Sequence, residues 1–177
     1  MAISPLVVPV RTMRSRSKTM RIEVSAPLDR GVIAPATEAD SSVPPDAEAR
    51  CSLVLAPYQG GISARGRVAV QWQGMCRRCT KAVSGVLDIA IDERFCDPAG
   101  LGDQADGEAY PIVDGRCDLG PMVHEAILAE LPLAPLCKPD CQGLCPQCGT
   151  DRNEVTCACV APVDPRWASL DVLKSRP

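Results

Sequence analysis

Apolar and polar residues alternate along the middle of the chain, and a period of two is the signature of strands that bury one face. Cys51-Ser52-Leu53-Val54-Leu55 runs up to Pro57, a turn follows at Gln59-Gly60-Gly61, and Ile62 to Trp72 resumes the alternation. Two such runs around a Gly-Gly turn predict an antiparallel hairpin. Ala82 to Ile91 supplies a third run with Val83, Val86, Leu87, Ile89 and Ile91, after an interruption from Trp72 to Lys81 that reads as a turn. Three strands in meander order are the expected core.

The period then changes. Asp118 reads as the N-cap of a helix running to about Glu130, with Pro121 in its first turn and Pro132 ending it. Leu119, Val123, Ile127 and Leu131 give this helix one apolar face to lay on a sheet. Shorter strands are expected at Arg21 to Ser25 and Tyr110 to Val113, and a short strand or extended arm at Leu6 to Val10 with a flexible stretch after it. Ala34 to Asp46 is a loop by composition, and the acidic Asp97 to Glu108 segment a mobile one. Asp164-Pro165 repeats the N-cap signature ahead of Trp167, Leu170 and Leu173, a short final helix. The expected fold class is α+β, an antiparallel meander packed by one main helix, followed by a cysteine-rich, zinc-ribbon-like module and the final helix. Residues 1–20 are expected to be a basic extended arm, 21–135 the α+β core, and 136–177 the cysteine-rich part.

Cysteine changes the picture most. Six of eleven fall between Cys137 and Cys159, a density that packing does not require. Cys145-Pro146-Gln147-Cys148-Gly149 reads as a zinc knuckle, in which Pro146 tightens the turn and Gly149 lets amide N–H groups face the thiolates. The competing reading of these residues is burial as small apolar side chains, or pairing as disulfides. A second CxxC, Cys76-Arg77-Arg78-Cys79, interrupts the strands. Eight clustered cysteines suffice for two tetrahedral sites: Cys145, Cys148, Cys157 and Cys159 as a local one, and Cys76, Cys79, Cys137 and Cys141 as one closed when the helix returns the chain to the sheet. The Cys-x-Cys bite is awkward for one ion, which leaves open an arrangement with Cys157 or Cys159 free and Cys141 in its place. Cys51, Cys96 and Cys117 are spaced singly and read as buried residues.

The chain of 177 residues is long enough to bury a core without metal staples. Its apolar start precedes its charges, unlike a secretory signal, and eleven thiols cannot all pair, so reduced thiols in the cytoplasm are expected. No apolar run approaches the ~20 residues needed to span a bilayer. Residues 1–21 hold Arg11, Arg14, Arg16, Lys18 and Arg21 with no acid, so a net charge of −3 leaves −8 on the remainder. The arm, with Arg77 and Arg78 beside the first CxxC, supplies the candidate contacts to RNA or a partner; the acidic segment 88–118 would repel phosphate.

Catalytic signals are absent. Four thiolates leave a metal no open coordination position, and the lone histidine, His124, has no assignable nucleophile. No phosphate-cradling glycine loop appears, and five aromatic residues supply few platforms for stacking bases.

Several stretches taken together resemble the YceD family, whose members are named large ribosomal RNA subunit accumulation proteins. They are Gly74-Met75-Cys76-Arg77-Arg78-Cys79; Asp118-Leu119 through Glu125-Ala126-Ile127-Leu128 to Leu131-Pro132-Leu133; and Cys137 to Gly149 with Asn153, Cys157, Cys159 and Asp164-Pro165-Arg166-Trp167. Where similar members carry a Leu-Gly-Arg-Arg-Pro-Gly-like turn, this chain has Met13-Arg14-Ser15-Arg16-Ser17-Lys18, which keeps only the basic character. The resemblance implies a cytoplasmic, non-enzymatic factor for accumulation of large-subunit (23S) rRNA, with rRNA or a pre-ribosomal particle as partner and no small-molecule substrate; the acidic Asp97 to Asp118 segment would complement a basic large-subunit ribosomal protein. One or two structural Zn²⁺ ions fit the cysteine spacing. The alternatives are a metal-stabilised protein adaptor that does not touch RNA, and a redox or iron–sulfur protein.

Overall fold

A computed structural model describes residues 5–16, 18–28, 41–97, 109–160 and 166. The expected acidic loop from Asp97 lies almost wholly outside these residues, as do the first part of the Ala34 to Asp46 loop and the final helix around Trp167.

The sheet is larger than the expected meander because its central strands are long and because segments distant in sequence join it. Strand β3 (Glu48–Tyr58) pairs antiparallel with β4 (Gly61–Met75), and β4 pairs with β5 (Ala82–Cys96) along all fifteen residues of each. Alternation explains the length: Ala49, Cys51, Leu53 and Leu55 of β3 face the same core as Ile62, Ala64, Val68 and Val70 of β4. Strand β2 (Met20–Pro27) pairs antiparallel with β3. On the far side, β6 (Tyr110–Val113) meets β5 in parallel at Phe95 and Cys96, then turns into β7 (Arg116–Asp118), which pairs with β1 (Val7–Pro9).

The result is a curled, mixed, seven-stranded sheet in the order β1-β7-β6-β5-β4-β3-β2, and among the described residues the α-helices are α1 (Arg11–Arg16) and α2 (Gly120–Glu130). This corrects the expected fold class. The chain is mostly β, and the α+β arrangement of an antiparallel meander packed by a main helix is overturned by the parallel β5–β6 contact and by the shortness of both helices. The physical reason is burial. Leu6, Val8 and Val10, expected as a short strand or extended arm, and Met13 after them are almost wholly buried, and they enter the core because β1 pairs with β7.

Helix α2 lies against β5 and buries Met122, Val123 and Ile127. Its N-cap is Leu119, one residue later than expected, and Asp118 Oδ1, just before the cap, accepts the Gly120 N–H at 2.9 Å. Beyond it the chain runs back along the end of the sheet. Ser41 Oγ donates to Pro132 O at 2.6 Å, and the Arg77 N–H donates to Pro135 O at 2.9 Å. That return delivers Cys137 and Cys141 to the β4–β5 turn. No helix among the described residues is long and apolar enough to cross a membrane.

Candidate metal centres

The β4–β5 connection is a tight knuckle. The Cys76 N–H donates to Lys81 O at 2.8 Å and the Thr80 N–H to Cys76 O at 2.9 Å, which turns both thiols of the CxxC to one side. Cys141 and Cys137 meet them there, with Cys76 Sγ 3.8 Å from Cys141 Sγ and Cys79 Sγ 3.5 Å from Cys137 Sγ. A tetrahedral ion with metal–sulfur bonds of about 2.3 Å holds its sulfurs about 3.8 Å apart, so the quartet has the dimensions of a thiolate metal site. Cys76, Cys79 and Cys141 are buried, with Val83 packed against them, and Cys137 is exposed.

Cys145, Cys148, Cys157 and Cys159 form the second quartet, and within each quartet the four sulfurs lie within 4.8 Å of one another. This quartet is more open: Cys145 is buried, Cys157 half-buried, and Cys148 and Cys159 exposed. Its knuckle repeats the first, with the Gly149 N–H donating to Cys145 O at 2.9 Å and the Cys145 N–H to Thr150 O at 2.8 Å. Thr150 Oγ1 lies 3.2 Å from Cys148 Sγ. The arrangement in which Cys141 replaces one of the Cys-x-Cys pair does not occur, because Cys141 is held in the first quartet.

Electrostatics fit a cation in both places. Burial raises the Cys76 thiol, but the backbone N–H groups of Cys137, Cys79 and Arg78 more than reverse this and bring it down to about 6. The Thr150 hydroxyl and then its backbone N–H bring Cys148 down to about 6. Sharing with Cys79 pushes Cys137 up to about 12, and sharing with Cys148 pushes Cys159 up to about 12. Each quartet therefore combines amides that favour thiolate with thiols that resist ionising beside one. A divalent cation removes that conflict, so the donor set suits a soft-ligand metal.

The remaining candidates do not join a site. Arg11 and Lys18 are exposed, and Arg11 folds its side chain over Gly115; the side chains of Arg14 and Arg16 lie outside the described residues. Arg77 and Arg78 are exposed beside the first quartet, and Arg78 Nη1 donates to Cys141 O at 2.8 Å. Arg65 and Arg67 are taken up by Asp92 and Asp88 across the β4–β5 pair. Cys51, Cys96 and Cys117 are buried apart from both quartets.

Residues to which the cysteine spacing assigns no part join the quartets. Lys81 pairs with Asp151 and Glu154, the Leu144 N–H donates to Arg78 O at 3.0 Å, and Asn153 Nδ2 lies 3.4 Å from Cys141 Sγ. The available signal was the position of Asp151, Asn153 and Glu154, polar residues clustered between the two halves of one quartet.

Residues 64–174 match the family described as large ribosomal RNA subunit accumulation protein YceD, a span that contains all eight quartet cysteines. Uncharacterized proteins of Mycobacterium tuberculosis and Mycobacterium bovis are 38% identical over 112 residues, 62% of this chain and 54% of theirs. One from Mycobacterium leprae is 33% identical over 112 residues, 62% of this chain and 51% of its own. The chain thus spans about half the length of the curated relatives it matches. No solved structure matches it.

Proposed function

Because this chain belongs to the YceD family of large ribosomal RNA subunit accumulation proteins, we propose that it is a non-enzymatic factor in ribosome biogenesis, needed for large-subunit (23S) rRNA to accumulate, and that each quartet holds a structural Zn²⁺. The observation that carries this reading is that the family match includes both quartets. Four thiolates close the coordination sphere, which suits a scaffold that shapes a binding surface rather than a Lewis acid that activates water. Zn²⁺ supplies the positive charge that lets all four sulfurs ionise. The residues of the chain do the rest: amides of the two knuckles stabilise the thiolates, and Arg78 and Lys81 tie together the end of the molecule that carries both quartets, its head.

RNA contact falls to the basic N-terminal residues, with Arg77 and Arg78 beside the first quartet, because the body carries −8. A specific observation favours a second reading, a protein adaptor that leaves RNA to its partner. Arg65 and Arg67 on the sheet are matched by Asp92 and Asp88, and Lys81 by Asp151 and Glu154, so much of the basic charge near the head is already countered. A basic ribosomal protein suits such a surface.

The test is depletion of the protein in its host, with rRNA quantified across a sedimentation gradient. A deficit of large-subunit rRNA relative to small-subunit rRNA is expected, restored by wild type and not by Cys76→Ser or Cys145→Ser. Unchanged large-subunit rRNA would refute the function. Pulldown of RNA, lost as salt rises, separates the factor from the adaptor. A colourless protein containing zinc under anaerobic purification separates both from an iron–sulfur protein.

A further inference from the structure

The two quartets share a wall. Asn153 belongs to the loop that joins Cys148 to Cys157, the two halves of the outer quartet, yet its side chain serves the inner one. Its Nδ2 lies 3.4 Å from Cys141 Sγ, and its Oδ1 accepts the Gln142 N–H at 2.8 Å, next to that ligand. Asp151 Oδ1 holds Asn153 in turn, accepting its Nδ2–H at 2.6 Å and its backbone N–H at 2.9 Å. The same loop is fastened at further points: the Arg152 N–H donates to Gly143 O, two residues after Cys141, and Lys81 of the inner knuckle pairs with Asp151 at 2.9 Å and with Glu154.

Apolar burial does not hold this loop in place. Arg152, Glu154, Val155 and Thr156 are exposed, and none of residues 149–156 belongs to either buried cluster. Ordering a backbone residue costs roughly 1–2 kcal/mol, so a loop held by exposed polar contacts without a core is steadied further by closure at its ends. Those ends are Cys148 and Cys157, ligands of the outer quartet.

We propose that Asn153 is a positioning residue for the inner metal site, delivered by the outer one: filling the outer quartet fixes the loop that sets the Asn153 amide on the Cys141 sulfur, so the inner quartet binds at full strength only when the outer is filled. The inference rests on the reading of both quartets as metal centres. An amide donated to a ligating sulfur orients it and offsets its charge, and loss of such a supporting contact lowers metal affinity by about 10–100-fold. By reciprocity a filled inner quartet strengthens the outer by the same factor, which suppresses the one-zinc species.

The test is zinc occupancy of the full chain by native mass spectrometry in zinc-buffered solution. Wild type is expected to pass from no zinc to two with little one-zinc species. Cys148→Ser/Cys159→Ser disables the outer quartet, and its single remaining zinc is expected to need about 10–100-fold higher free zinc for half-occupancy. Asn153→Ala is expected to weaken the inner site to the same extent and to populate the one-zinc species. Combining Asn153→Ala with the outer-site pair should add no further shift. Asn153→Asp, which sets a carboxylate beside the thiolate, should weaken the inner site at least as much as Asn153→Ala. Circular dichroism of the sheet confirms that each variant is folded. An outer-site variant that fills its inner quartet at the wild-type zinc level, or an Asn153→Ala protein that loads two ions together as wild type does, overturns the coupling while leaving the metal centres intact. A wild-type protein that takes up no zinc at any level overturns the metal reading itself.

Discussion

Gly143 stands between Cys141 of one quartet and Cys145 of the other, and replacing it with alanine tests whether the two knuckles press on each other as the structure has them. Its φ is +71°, in the left-handed region, where a residue with a Cβ is disfavoured by roughly 1–2 kcal/mol. A Cβ there would also lie 3.0 Å from Arg78 O and 3.3 Å from Arg78 Cβ. Arg78 O cannot retreat freely, because it accepts the Leu144 N–H at 3.0 Å. Overpacking of this kind adds about 1–3 kcal/mol.

Gly149 is the internal control: its φ is +73°, but a Cβ there would meet nothing within 4 Å. Folding and metal binding are coupled in such a head, so these costs are read as zinc affinity, about tenfold for each 1.4 kcal/mol. Gly149→Ala should therefore lose roughly 5–30-fold in affinity, and Gly143→Ala about tenfold more than that, both measured by competition with a zinc chelator. Equal effects of the two substitutions would refute the contact between knuckles. No effect from either would refute the coupling of backbone geometry to metal retention.

Other outcomes follow from the same geometry. Ile127→Ala removes three buried carbons from the α2 face, about 2.4 kcal/mol of transfer before the cavity term, so denaturant melts of the sheet should show a loss of about 3 kcal/mol with zinc content unchanged. Burial pushes the Cys51 thiol up to about 11, so it stays protonated below that value; in folded, zinc-loaded protein at pH 8 it should resist a thiol reagent that modifies it once the chain is unfolded, as mass mapping would show. Replacing Arg11, Arg14, Arg16 and Lys18 by alanine should weaken rRNA-fragment binding and flatten its salt slope by about 0.7 per lost phosphate contact; binding equal to wild type at every salt concentration would remove these residues from the mechanism.

What is local was legible in the chain alone. Alternation over Cys51 to Leu55, Ile62 to Trp72 and Ala82 to Ile91 made the long hairpins legible, because a strand's side-chain period is written residue by residue. The spacings of Cys76-x2-Cys79 and Cys145-x2-Cys148 likewise displayed two bites of the size a metal takes, since two residues between ligands set their reach. The rest depended on contacts between segments far apart in the chain. Whether Leu6 to Val10 is a tail or a strand depends on β7, more than a hundred residues away, offering it an edge, and a three-residue strand has too few positions to declare a period. The parallel β5–β6 contact rests on two register pairs and leaves no local pattern, so a meander was the natural inference and a mixed sheet the outcome. Asn153 shows the same division at the candidate site. Its place in the loop of one quartet is plain in the chain, but its hydrogen bond to a sulfur of the other exists only because the return after α2 carries Cys137 and Cys141 to the β4–β5 turn.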